Sequence, residues 1–251
     1  MRRTRSRTCT LAWSCLVATF VLSGGPLAEG VSAQEEARRR LPDVYPYVAS
    51  DILEGCRPEA GVWVDLGSGS GGVGLAVACS GDAAAAESTI VFLDPDAEAL
   101  VQALQRGREK GLGNRLVAVV GVAEDMPLPD NSVDLVFSRG SVFFWKDPAQ
   151  GVREIHRVLR PGGKAMIGGG RGSKYPEWAR REFMRRRQGN RKANSPQAKE
   201  FARLRDPKTF GQWAKDAGIP DFEVVGQGAL PPDDPRAGAG IWLKFTKQAA
   251  R

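Results

Sequence analysis

From Val62 onward, short apolar runs alternate with amphipathic stretches. Val62–Asp65, Thr89–Leu93, Arg115–Val120, Val133–Phe137 and Lys164–Ile167 have strand length, and Gly72–Cys79, Pro95–Lys110 and Pro148–Leu159 between them read as helices. A further helix over Pro207–Ala217 and two strands, Phe222–Gly226 and Ile241–Thr246, follow, the strands joined by the turn-rich Pro231–Gly240. The βαβα order predicts an α/β fold with a doubly wound, mostly parallel seven-stranded sheet and ligands at the carboxyl ends of its strands. Val44–Leu53 predicts a short amphipathic helix interrupted by Pro46 and offers Tyr45 and Tyr47 as lid residues.

The first strand runs into glycine: V-W-V-D-L-G-S-G-S-G-G from Val62 to Gly72. Such a loop lets a ligand touch main-chain N–H groups at a helix N-terminus, where negative charge is favoured. Two patterns fit. Gly67, Gly69 and Gly72 have dinucleotide spacing, with Asp94 placed as a ribose-binding acid. Asp65, Gly67, Gly69 and Gly71 give D-x-G-x-G-x-G, and the choice rests on residues downstream.

Composition adds a boundary and a compartment. The chain has 251 residues, 42% hydrophobic and 26% charged, enough for one sizeable α/β domain, expected over residues 34–251. Residues 1–33 differ in kind: Arg2, Arg3, Arg5 and Arg7 precede an apolar run from Leu11 to Leu22, then Val31-Ser32-Ala33. This is the order of a cleaved secretory signal and predicts export; an organellar transit peptide is the alternative, since the first 28 residues lack acids. The run is shorter than the ~20 residues that span a bilayer, so no stable membrane insertion is expected after cleavage. The formal charge of +7 includes four Arg and one Glu of this leader, and mild basicity alone does not call for nucleic acid. Cys56, Cys79 and the single His156 provide no metal-ligand spacing, so no metal is expected. Export would make a Cys56–Cys79 disulfide worth testing against two buried free thiols. Residues 171–208 carry thirteen Lys or Arg against four acids. Their place after the fifth strand makes residues 171–206 a candidate basic helical lid, with a solvated helix face as the competing reading.

With these pieces in place the chain resembles the class I S-adenosylmethionine-dependent methyltransferases, and within them the type 11 group, over about Leu41–Lys247. The resemblance rests on V-D-L-G-S-G-S-G, on F-L-D-P-D, on Ala123–Ser138 (A-E-D-M-P-L-P-D-N-S-V-D-L-V-F-S) and on Glu154–Gly163 (E-I-H-R-V-L-R-P-G-G). It implies a Rossmann-like methyltransferase fold, S-adenosyl-L-methionine as cofactor and a small-molecule methyl acceptor. The methionine moiety would lie beside Gly67, Ser68, Gly69 and Gly71, with Asp65 supporting the loop and the amino group. Asp94 would hold both ribose hydroxyls, as a carboxylate can hold a vicinal diol, while Asp96 caps the following helix. Where the family commonly has Asp in a G-D-A-E context, this chain has Val122, so the backbone N–H of Ala123 and the carboxylate of Glu124, or of Asp125, are the expected adenine contacts. Methyl transfer needs alignment and desolvation more than a strong acid or base. Ser138 and Arg139, at the end of the fourth strand, are therefore candidates for orienting the acceptor, and Phe143-Phe144-Trp145 is either pocket wall or core. His156 is expected to be a packed or surface residue. Two competing functions stay open: non-catalytic binding of S-adenosylmethionine or S-adenosylhomocysteine, and nucleic-acid methylation, for which the basic segment has few interleaved aromatics.

Overall fold

Side chains on the central strands alternate between two apolar layers. The computed structural model describes residues 40–189, 200, 203–226 and 240–249. The contacts separate Leu41–Arg251 from Met1–Arg40, and the leader expected over residues 1–33 lies outside the described residues.

One seven-stranded sheet comprises β1 (Val62–Leu66), β2 (Thr89–Asp94), β3 (Leu116–Val120), β4 (Val133–Arg139), β5 (Leu159–Gly169), β6 (Phe222–Gly226) and β7 (Ile241–Thr246), in the order β3-β2-β1-β4-β5-β7-β6. The first five strands pair parallel, and β7 runs antiparallel between β5 and β6. Trp63, Phe92, Leu135, Phe137 and Trp242 pack on one face. They meet α1 (Tyr45–Cys56), α2 (Gly72–Ala78) and α4 (Ala97–Glu109); the short α3 (Ala83–Glu87) precedes β2. Val64, Leu66, Leu93, Val136 and Leu243 pack on the other face, against α5 (Pro148–Val158) and α7 (Pro207–Asp216). Helices on both faces of a sheet whose strand order reverses between β1 and β4 make the expected Rossmann-like, doubly wound architecture. The strand order leaves a crevice at the carboxyl ends of β1 and β4.

Three local expectations need correction. Pro46 starts α1 rather than interrupting it, because a proline in the first helical turn gives up only an N–H that has no intrahelical partner. Strand β5 begins at Leu159, which pairs with Val133. Pro161-Gly162-Gly163 forms an irregularity inside the strand, and pairing resumes with Leu135 opposite Lys164. The disulfide is absent: Cys56 and Cys79 are both free, the first buried and the second exposed. Cys56 ends α1 near Lys164 and Lys244, whereas Cys79 caps α2 beside an open surface cavity.

Beyond β5, Ser173 fastens the chain to α1. Its N–H donates to Asp51 Oδ2 at 2.8 Å and its hydroxyl to Asp51 Oδ1 at 2.5 Å. Helix α6 (Glu177–Gly189) follows. Arg181 pairs with Glu177, and Arg185 and Arg186 with Glu182, so part of its charge is spent within its own exposed face. Residues 190–199 and 201–202 of the expected insertion lie outside the described residues.

Candidate functional site

The glycine loop is closed by backbone bonds across the sheet. The N–H groups of Gly67 and Ser68 donate to Leu93 O at 2.7 and 3.3 Å, and Gly71 N–H donates to Ser68 O at 2.9 Å. Gly67, Gly69 and Gly71 all have positive φ, at 68°, 49° and 77°, a region L side chains enter at a cost. Their surroundings differ. A Cβ on Gly67 would collide with Ser141 and one on Gly71 with Ala103, while nothing lies within 4 Å of one on Gly69. The loop is thus wedged at its ends and open at its middle.

Asp94, at the end of β2, spans that opening. Its Oδ2 accepts Gly69 N–H at 2.8 Å and its Oδ1 accepts Asp96 N–H at 2.9 Å. A carboxylate has about four acceptor positions, so two backbone bonds leave capacity for a diol. Asp96 caps α4 as expected, accepting from Glu98 and Ala99 N–H. Asp65 is buried beneath the loop, and its Oδ2 accepts Gly74 N–H at 2.8 Å. Burial pushes its carboxyl up to about 7; the Gly74 N–H opposes the rise and the charge of Asp94 adds to it.

Two residues that sequence reasoning missed hold this loop. Arg106 on α4 donates to Ser70 O at 2.7 Å and to Ser70 Oγ at 3.2 Å. Ser141 donates to Leu66 O at 3.0 Å and accepts Trp145 Nε1–H at 3.2 Å. Its Oγ also lies 2.6 Å from Ser138 Oγ. Ser138, expected to orient an acceptor, is fully buried and braces this node instead. No local pattern marks Ser141, since its partner Leu66 is 75 positions away.

Just after β3, Val122 is 43% exposed and Ala123 is buried. Glu124 Oε1 accepts N–H bonds from Lys146 and Asp147 at 2.6 and 3.2 Å, tying the segment after β3 to the start of α5. That segment is held from below by Arg157, which bonds Glu154, Asp130, Met126 O and Leu128 O. His156 sits on α5 with its ring 6.4 Å from that of Phe245. Burial, then the charge of Lys247, lowers its pKa. This agrees with a packed residue.

Past Ser141 the edge opens into a cavity of about 390 Å³ lined by Arg139, Gly140, Phe143, Phe144, Tyr175 and Arg205, among others. Arg139 Nε donates to Gly170 O at 2.9 Å, and its guanidinium lies 5.6 Å from the Tyr45 ring centroid. Tyr45 in turn covers Gly72, where a Cβ would come within 2.5 Å of its ring. Tyr47 meets Tyr175 edge-on at 5.3 Å. Helix α1 therefore bridges the glycine loop and the roof of the cavity. The aromatic run divides: Phe143 is buried, Phe144 is 83% exposed, and both line the cavity.

A buried acid beneath a glycine loop and a second acid at the next strand end define a nucleoside-binding α/β domain. Residues 64–167 match a family model described as a methyltransferase domain. The chloroplastic 2-methyl-6-phytyl-1,4-hydroquinone methyltransferase of Arabidopsis thaliana is 31% identical over 162 residues, which cover 64% of this chain and 40% of that protein. A chloroplastic counterpart from Oryza sativa subsp. japonica is 34% identical over 104 residues, 41% of this chain and 29% of that protein. The matches thus span less than half the length of these curated relatives. Among solved structures, a protein of Methanococcus maripaludis described as an S-adenosyl-L-methionine-dependent methyltransferase is 29% identical, with a TM-score of 0.66 over 92% of this chain and 99% of that one. A SAM-dependent methyltransferase from Aquifex aeolicus, 18% identical with a TM-score of 0.56 over 81% of this chain and 90% of that one, shares the fold. The domain match over residues 64–167 and these structures support a class I S-adenosyl-L-methionine-dependent methyltransferase.

Proposed function

We propose that this chain binds S-adenosyl-L-methionine and transfers its methyl group to a small-molecule acceptor. The observation that carries the reading is the Asp94 carboxylate set against the open middle of the Gly67–Gly71 loop, with the cavity beyond Gly140 one strand away. When bound, the cofactor supplies an electrophilic methyl on a sulfonium. Asp94 would take the ribose hydroxyls on its remaining acceptor positions. Gly67, Ser68, Gly69 and Gly71 would line the methionine moiety, and Asp65 would hold the loop in shape through Gly74. The Ala123 N–H and Glu124 would meet the adenine, Glu124 chiefly by fixing its segment. Arg139 would orient the acceptor and Ser138 would position Ser141. Of the expected lid, Arg171, Tyr175, Phe183 and Arg205 would wall the cavity, and the Ser173–Asp51 bonds support this placement.

The plant relatives are named for an aromatic hydroquinone acceptor, and this supports a small aromatic acceptor here. Their chloroplastic address favours an organellar leader over export, where the cofactor would be at hand. Incubating the chain with methyl-labelled S-adenosylmethionine and separated cell fractions tests the reading. Label in the small-molecule fraction is expected. Label confined to nucleic acid would replace the acceptor class, and cofactor binding with no label transferred to any fraction would favour the non-catalytic reading.

A further inference from the structure

The cavity beyond Gly140 combines flat apolar walls with cations and, among its described lining residues, no acid. Phe143 and Phe144 approach from the end of β4, and Tyr175 and Phe183 from the chain after β5. Two of the three arginines lie against rings of the cavity wall, the guanidinium of Arg171 3.5 Å from the Phe183 centroid and that of Arg205 5.0 Å from the Phe143 centroid, whereas Arg139 lies 5.6 Å from the ring of Tyr45, which is outside the cavity lining. Such stacking steadies the aromatic walls. Arg139 is placed differently. Its Nε donates to Gly170 O, which fixes the plane of the fork, and burial lowers its pKa against the opposing influence of Tyr45 and Asp43. A partly desolvated guanidinium with a fixed plane gains more from an anionic oxygen than a solvated one does.

We propose that this cavity selects an aromatic acceptor bearing an oxyanion, a carboxylate or a phenolate, with its ring against Phe143 and Phe144 and its charged oxygen on Arg139. The proposal rests on the methyltransferase reading and names its substrate class. The volume of about 390 Å³ suits a one- or two-ring compound. The position suits the reaction, because Arg139, Gly140 and Ser141 are consecutive and Ser141 abuts Gly67. An acceptor anchored on Arg139 therefore lies beside the cofactor loop.

The test is calorimetry on the full chain saturated with S-adenosylhomocysteine, titrated with 2-naphthoate and with its neutral counterpart 2-naphthalenemethanol. A charge-assisted pair predicts a preference for the naphthoate of about tenfold or more. Arg139→Gln should erase that preference while leaving the neutral probe's affinity in place, and Arg139→Lys should restore part of it. Phe144→Ala, at an exposed position, should weaken both probes alike. Titrating 2-naphthol below and above its own ionisation separates the two sources of the oxyanion. Tighter binding of the ionised form supports a phenolate, and indifference to its ionisation beside preferred naphthoate supports a carboxylate. Equal affinity for naphthoate and the alcohol in the wild type, with S-adenosylhomocysteine bound, overturns the proposal and leaves the methyltransferase reading standing. So does an Arg139→Gln variant that loses both probes equally. Failure to bind S-adenosylhomocysteine at all would overturn the underlying reading and the proposal with it.

Discussion

Ser141 occupies the space a side chain on Gly67 would need: an added Cβ would stand 2.1 Å from Ser141 Cβ. The glycine is thus required twice, by its φ of 68° and by its neighbour. Gly67→Ala should cost about 2 kcal/mol or more in urea unfolding, combining left-handed strain with overpacking. Ser141→Gly removes the obstructing Cβ, so Gly67→Ala made in that background should cost only the ~1 kcal/mol of backbone strain. Additive costs in the double variant would show that the contact is not what excludes the side chain.

Asp65 and Glu154 should give opposite pH signatures. Asp65 has a folded pKa of about 7 against an ordinary 3.8. In that window the folded state holds the extra proton, so its contribution to stability is greatest below about pH 4 and is lost as pH rises to 7. Urea unfolding across that range should show Asp65→Asn gaining on the wild type as pH rises, by an amount on the order of a few kcal/mol. A gap independent of pH would contradict the burial argument.

Glu154 is held below its ordinary 4.5, first by hydrogen bonds from Arg157, and the Met126 N–H adds to the effect against the opposing influence of burial. Its contribution is present above 4.5 and lost as pH falls through the lowered folded value. Glu154→Gln should therefore be less stable than wild type at neutral pH, with the gap closing in acid. A gap that persists below that value would show that packing, not charge, holds the Met126–Asp130 turn.

Cys56 and Cys79 differ in access. Cys79 is exposed, while burial drives Cys56 up to about 11 despite Lys244 and Lys164 nearby. Iodoacetamide on the native chain, followed by peptide mapping, should modify Cys79 at neutral pH and Cys56 only after unfolding. Modification of both at similar rates would contradict the burial of Cys56.

Much of the framework was legible because it is local. The apolar run ending in Asp65 and the glycines after it announced a strand, a turn and a helix, and Asp96 announced a cap that the structure shows. Alternation of strands and helices was enough for the doubly wound sheet. What was not legible depends on distant segments meeting. Ser141 gains its role only when β4 lies beside β1, and Arg106 only when α4 crosses the loop. The arginine-lined cavity joins residues from Leu41, ahead of α1, to Arg205. The start of β5 was missed because Pro161-Gly162-Gly163 looks like a turn before a strand, whereas Leu159 already pairs with Val133.

The central claim is that Asp94 and the open glycine loop hold the cofactor, and calorimetric titration of the chain with S-adenosyl-L-methionine addresses it most directly. The wild type should bind with one site, and Asp94→Ala, which loses the Gly69 bond together with the proposed ribose acceptor, should bind at least about tenfold more weakly. No heat from the wild type, or an Asp94→Ala variant that binds as well as the wild type, would contradict it.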